Sequence, residues 1–107
     1  MRMELDSVPV DLSCDAKLIF RIKKTDGLWV IAAFDSIYEQ DRIIPVYPNS
    51  QLNLPLGELK AFRQSYACMS YMISRNGRPI GNDFPGIDRP DLVEALYHEI
   101  GAWLYGN

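Results

Sequence analysis

The chain has 107 residues, 48% hydrophobic and 23% charged, with a formal net charge of -3. That size and balance suit one domain over residues 1–107; they exclude a disordered chain, and no apolar run is long enough to span a membrane. Eleven basic against 14 acidic residues disfavour a dedicated nucleic-acid binder, which carries a basic excess.

Residues 1–16 read as an irregular or edge segment, because Pro9 cannot donate to a sheet ladder. From 17 to 24 the pattern alternates. Leu18, Phe20 and Ile22 lie on one side, Ile19, Arg21 and Lys23 on the other, which is the period of a half-buried strand. The apolar set, Phe20 included, is expected to face the core, and Arg21 and Lys23 to face solvent. Asp26-Gly27 then suits a tight hairpin turn, since glycine accepts positive φ without a steric penalty. The run Leu-Trp-Val-Ile-Ala-Ala-Phe that follows reads as a central strand, extended over 28–38. A third strand, 42–47, carries Pro45 and so belongs at an edge, with Pro48-Asn49-Ser50 as its stop.

Leu59, Phe62, Tyr66, Met69 and Ile73 recur at steps of three and four, one face of a helix over about 55–74. Pro55 near its start and Asn76-Gly77 at its end fit that reading. It leaves Tyr71 and Met72 exposed beside the main stripe. The alternative is a shorter helix ending near Tyr66, then a strand and a turn. Residues 78–88, with two prolines and two glycines, form a loop. Asp88 is the expected N-cap of a second helix over 89–105, with Leu92, Leu96, Ile100 and Trp103 as its stripe. The architecture expected is α+β, a small three-stranded antiparallel sheet packed on two helices.

Motifs for chemistry fail one by one. Cys14 and Cys68 match no metal spacing, and buried reduced thiols are the default for both. His98 is the sole histidine; His98-Glu99 opens like a zinc-protease helix, but Ala102 stands where the second imidazole must be. Glu94, one turn earlier, pairs naturally with His98 on the solvent side of the helix. Gly77, Gly81 and Gly86 lack the strand and the Lys-Ser/Thr of a phosphate cradle. No catalytic residue, metal site or cofactor is expected.

Charge is uneven along the chain. Residues 1–15 and 79–107 hold nine carboxylates and two arginines, so the middle is basic on balance. Either the acidic ends fold over the basic middle, or they form a surface that docks a basic partner. Tyr38 with Glu39 and Asp41, and Asp83, Phe84 and Asp88 in the later loop, are the candidate partner-binding residues. Tyrosine supplies contact area at low entropic cost, and carboxylates pair with a partner's Lys or Arg.

The class favoured by elimination is a small cytoplasmic protein-binding module. Its most concrete form is an immunity- or antitoxin-type inhibitor that covers a basic partner such as a toxin nuclease. The cytoplasmic expectation rests on Glu4 and Asp6, which stand where a signal peptide needs an apolar run. The second reading is a homodimeric assembly or regulatory subunit joined through sheet edges or the long helix. Nucleic-acid binding through Arg21, Lys23, Lys24, Arg63, Arg75 and Arg78 ranks third, and an enzyme built on His98 last.

Overall fold

The computed structural model describes residues 1–48 and 50–106, so Asn49, the middle of the expected strand stop, lies outside the described residues. Three antiparallel strands run in order: β1 (Arg2–Leu5), β2 (Val8–Thr25) and β3 (Leu28–Pro45). They are followed by α1 (Leu56–Leu59), a 3₁₀ turn (Gln64–Tyr66), α2 (Ala67–Ser74) and α3 (Pro90–Tyr105). The fold is α+β, as the patterning predicts, but the element bounds move.

The largest change is strand length. Residues 1–16 are not irregular. Asp6 and Ser7 both take positive φ, +49° and +68°, and make a two-residue turn that pairs β1 with the start of β2. Pro9 is tolerated because it is only the second residue of β2; its carbonyl accepts from the Val46 amide at 3.0 Å. The expected strands 28–38 and 42–47 are one strand ending at Pro45, because β2 pairs on through the polar stretch, Cys14 with Asp41, Asp15 with Gln40 and Ala16 with Tyr38. The Asp26-Gly27 turn is as predicted, with φ of +52° and +81°.

β2 and β3 therefore form an 18-on-18 ribbon whose register slips twice, leaving Glu39 and Ala32 as extra residues in β3. At about 3.3 Å per residue such a ribbon approaches 60 Å, and it sets the 52 Å long axis of the molecule. The radius of gyration is 17.3 Å, against roughly 13 Å for a compact chain of this size. The molecule is elongated.

The ribbon's two faces are covered differently. Even-numbered residues of β2 share one face. Near Pro45, Val10, Leu12 and Ile43 on that face are buried with Leu5, Tyr71 and Met72. Tyr71 and Met72 are thus core residues, not the exposed flank of a long helix. The opposite, odd face lies under α3, where Ile37 and Leu96 are buried and Arg21 reaches Glu99 at 3.4 Å.

The helix expected over 55–74 is broken, and so is its alternative. Residues 67–74 are helix, not strand, and Arg63 leaves the helical region at φ -60°, ψ 128°. Its side chain is held by partners in the loop ahead of α3, which dictates the break. α3 closely matches its predicted span, and Gly106 ends it at φ +71°. Its N-cap is Arg89 with no side-chain cap bond, because Asp88 is committed elsewhere.

Candidate functional site

Of the expected partner-binding residues the structure brings together Tyr38, Phe84 and Asp88, and it disperses Glu39, Asp41 and Asp83. Tyr38, Tyr66 and Phe84 stack as an aromatic trio with ring centroids 5.1 to 6.1 Å apart. The segment carrying Phe84 lies along β3. Tyr38 N–H donates to the Pro85 carbonyl, and Ile87 N–H donates to that of Tyr38. Beneath the trio, Arg63 donates two hydrogen bonds to Asp88, at 2.6 and 2.7 Å, and two more to the Asn82 and Phe84 carbonyls. Ser65 Oγ donates to the same carboxylate and accepts the Asp88 amide.

Arg63 and Asp88 retain only 11% and 15% side-chain exposure. Bidentate pairing with Arg63 holds the Asp88 carboxyl well below its ordinary value, against the opposing effect of burial. Asp88 is therefore a fixed anion with no proton to exchange. Gly86 is required here, because a Cβ would lie 2.8 Å from Asp88 Oδ1 and 2.9 Å from Ser65. The knot is structural. It pins the loop before α3 to the 3₁₀ turn and leaves Phe84 half exposed at its rim.

Asp41 is not a surface ligand either. Its carboxylate accepts the amides of Cys68 and Met69 at 3.0 and 2.7 Å, satisfying the first turn of α2 from the neighbouring strand. Asp83 stays exposed in the loop. Glu39, displaced by its bulge, lines a groove of about 460 Å³ between the odd face and α3, with Lys17 and Glu94 as the other charges. Ile37, Ile87, Val93 and Tyr97 line the rest with Pro90, and the lining holds no Ser, Thr, Cys or His.

The candidate nucleophiles are placed unfavourably. Burial pushes the Cys68 thiol up to about 12, and its Sγ points at the Asp41 carbonyl, 3.9 Å away. Cys14 is exposed rather than buried, yet desolvation raises its thiol as well. His98 stands exposed on α3. Among the described residues, no group of three or more His, Cys, Asp and Glu is placed to hold a metal.

What the sequence reading misses is the far end of the ribbon. Phe20 faces solvent, and Arg21 is the covered residue, 10% exposed and paired with Asp35 and Glu99. On the even face Leu18, Phe20 and Ile22 lie beside Phe34, Ile31 and Trp29, and all six are between 52% and 66% exposed. The Phe20 and Phe34 rings are 5.1 Å apart, and Lys24 Nζ lies 6.0 Å from the Trp29 ring. From Ala16 to the turn, Lys24 is the one charged side chain on this face of β2 and β3. Roughly 600–700 Å² of contiguous apolar surface results, above what a soluble monomer ordinarily leaves open. The signal was present in the unbroken run from Leu28 to Phe34. Alternation, however, says only that two faces differ, not which is covered.

Acidic residues are largely engaged within the molecule. Asp6 pairs with Arg75, Asp11 with Arg2, Asp15 with Arg42 and Asp91 with Arg89, at 2.6 to 3.0 Å. Asp6–Arg75 and Asp15–Arg42, with Asp88–Arg63 and Glu99–Arg21, join an acidic end to the basic middle, whereas Asp11–Arg2 and Asp91–Arg89 are pairs within one end.

No family model matches the chain. Over 99% of its length it is 26% identical to Pea pathogenicity protein 2 of Fusarium vanettenii, covering 48% of that protein. It is 25% identical, again over 99% of its length, to an uncharacterized protein of Emericella nidulans, covering 50% of it. The chain thus spans about half the length of the curated relatives it matches. No helix of the structure is long and apolar enough to cross a membrane.

Proposed function

We propose that the chain is a protein-binding module that acts through the open apolar face of the β2–β3 ribbon. The observation that carries this reading is the row Leu18, Phe20, Ile22 beside Trp29, Ile31, Phe34, a large uncharged surface rich in aromatic anchors. The relatives' names specify no ligand or reaction. A non-catalytic role fits the exposed lone imidazole and the two raised thiols. A cytoplasmic setting fits thiols that stay reduced.

The narrower form, an acidic inhibitor covering a basic active site, has less support from the geometry. Of the four carboxylates that would serve it, Asp41 and Asp88 are spent on the scaffold's own bonding, which leaves Glu39 in the groove and Asp83 on the loop. Phe20, Phe34 and Trp29 also resemble a stacking platform for bases. With Lys24 as the sole cation on that face and Arg63 and Arg75 already paired, it lacks the charge that holds a phosphate chain.

Two chains used as bait separate these readings: the wild type and Phe20→Lys, each in low salt and in about 0.5 M salt, where exposed charges are screened. Partners held by the wild type in high salt and lost with Phe20→Lys support the apolar face. The same partners held by both chains would refute it. Partners lost from both in high salt favour the inhibitor.

A further inference from the structure

We infer that the open face is closed by a second copy of this chain, the two ribbons packing face to face about a two-fold axis. This rests on the protein-binding reading above and names its partner.

The first observation is area. The six exposed side chains offer roughly 600–700 Å² of apolar surface per copy, and the rim at Lys24 and Ser36 brings this near the ~800 Å² that each side of a stable interface buries. The second is charge. A partner with acidic or basic groups would find Lys24 alone to answer them and would bury the rest unpaired. The face fits an uncharged apolar surface of similar flatness and length, and an identical face is one. The third is shape. A two-fold contact needs a self-complementary patch. Two antiparallel sheet faces meet that need by interdigitating across about 10 Å. Phe20 and Phe34, stacked across the ribbon at 5.1 Å, form the centre of the patch, and the flexible Lys24 lies at its edge over Trp29. The fourth is position. The face lies away from α3, which covers the odd side, so a second copy can dock without displacing any helix.

Sedimentation equilibrium on the full 107-residue chain tests this. The wild type is expected at twice its 12.2 kDa mass, in a dimer that persists in high salt. Phe20→Lys places a charge at the centre and is expected to weaken self-association by about 100-fold or more. Phe20 is half exposed in the single copy, so the variant should keep its far-ultraviolet circular dichroism; if it does not, Leu18→Ser probes the same face. Ile44→Lys changes an exposed residue of the opposite face and should leave the dimer unaltered. A wild type that stays monomeric up to about 100 μM overturns the inference, as does a folded Phe20→Lys that dimerises like the wild type. If the wild type is monomeric but its captured partners are lost with Phe20→Lys, the two-copy assignment falls and the protein-binding reading stands. If capture is also unchanged, both fall.

Discussion

At the Pro45 end of the ribbon, Val10, Leu12 and Ile43 are sealed beneath Tyr71 and Met72; at the turn end, Leu18, Phe20 and Ile22 continue the same face into solvent. The residue types are alike and the strand is one. The difference is in what the rest of the chain can reach. An eight-residue α2 is about 12 Å long at 1.5 Å per residue, while each strand approaches 60 Å. The helices α1 and α2 therefore cover one end of the even face, and the 16-residue α3 covers part of the odd face. Strand hydrogen bonds extend the ribbon further than its side chains can be covered. One end is a core, and the other lies open to solvent.

The sharpest way to break this contrast is to truncate one leucine at each end. Leu12→Ala removes a side chain that is 4% exposed and should cost about 3 to 4 kcal/mol in urea unfolding, from lost transfer energy plus a cavity. Leu18→Ala removes one that is 56% exposed on the same face towards the turn and, at dilutions that keep the chain a single copy, should cost less than about 0.5 kcal/mol. Equal losses would mean that the two ends are buried alike.

Next comes the knot that ties α3's loop to the 3₁₀ turn. Asp88→Asn leaves the half-buried Arg63 guanidinium without its counter-charge, and about 2 kcal/mol of stability should go with it. The effect depends on pH in a definite direction. Asp88 titrates below its ordinary 3.8 in the folded chain because Arg63 hydrogen bonds hold the anion. Its contribution is complete above about pH 5 and is lost as pH falls through 3.8 towards the depressed folded value. Stability measured from pH 6 to pH 2 should fall less steeply in Asp88→Asn than in the wild type. Parallel curves would show that the pair carries none of the acid sensitivity.

The smallest effect belongs to the turn itself. Gly27→Ala places a side chain at φ +81°, which should cost about 1 to 2 kcal/mol locally. Because the even face at that end has no helix over it, amide exchange should quicken for residues near the turn and stay unchanged near Val10 and Leu12. Uniform acceleration along the ribbon would make it one cooperative unit rather than two unlike halves.

Much of the local structure was legible. The Asp26-Gly27 turn, the strand after Ala16 and the span of α3 each depend on neighbours within a few residues, and they stand where the spacing puts them, though of the expected α3 stripe only Leu96 is buried and Trp103 is exposed. The Asp6-Ser7 turn was not legible, because neither residue is a glycine and both adopt positive φ only with the paired strands around them. The break at Arg63 was hidden for a related reason. Its periodicity is helical, but its partners Asp88, Asn82 and Phe84 lie 19 to 25 residues ahead. Among the candidate site residues, Asp41 and Asp88 were chosen for their charge and proved to be internal fasteners. Phe20 was assigned to the core and proved to be surface.

Sequence alone determined the class of fold, the central hairpin turn and the last helix, since periodicity and spacing are properties of neighbouring residues. Only the tertiary structure decided which side of the ribbon is covered, where the middle helix breaks and which carboxylates are spent on internal pairs. Those outcomes turn on how far each helix reaches and on which distant arginine meets which aspartate, and no local pattern records either.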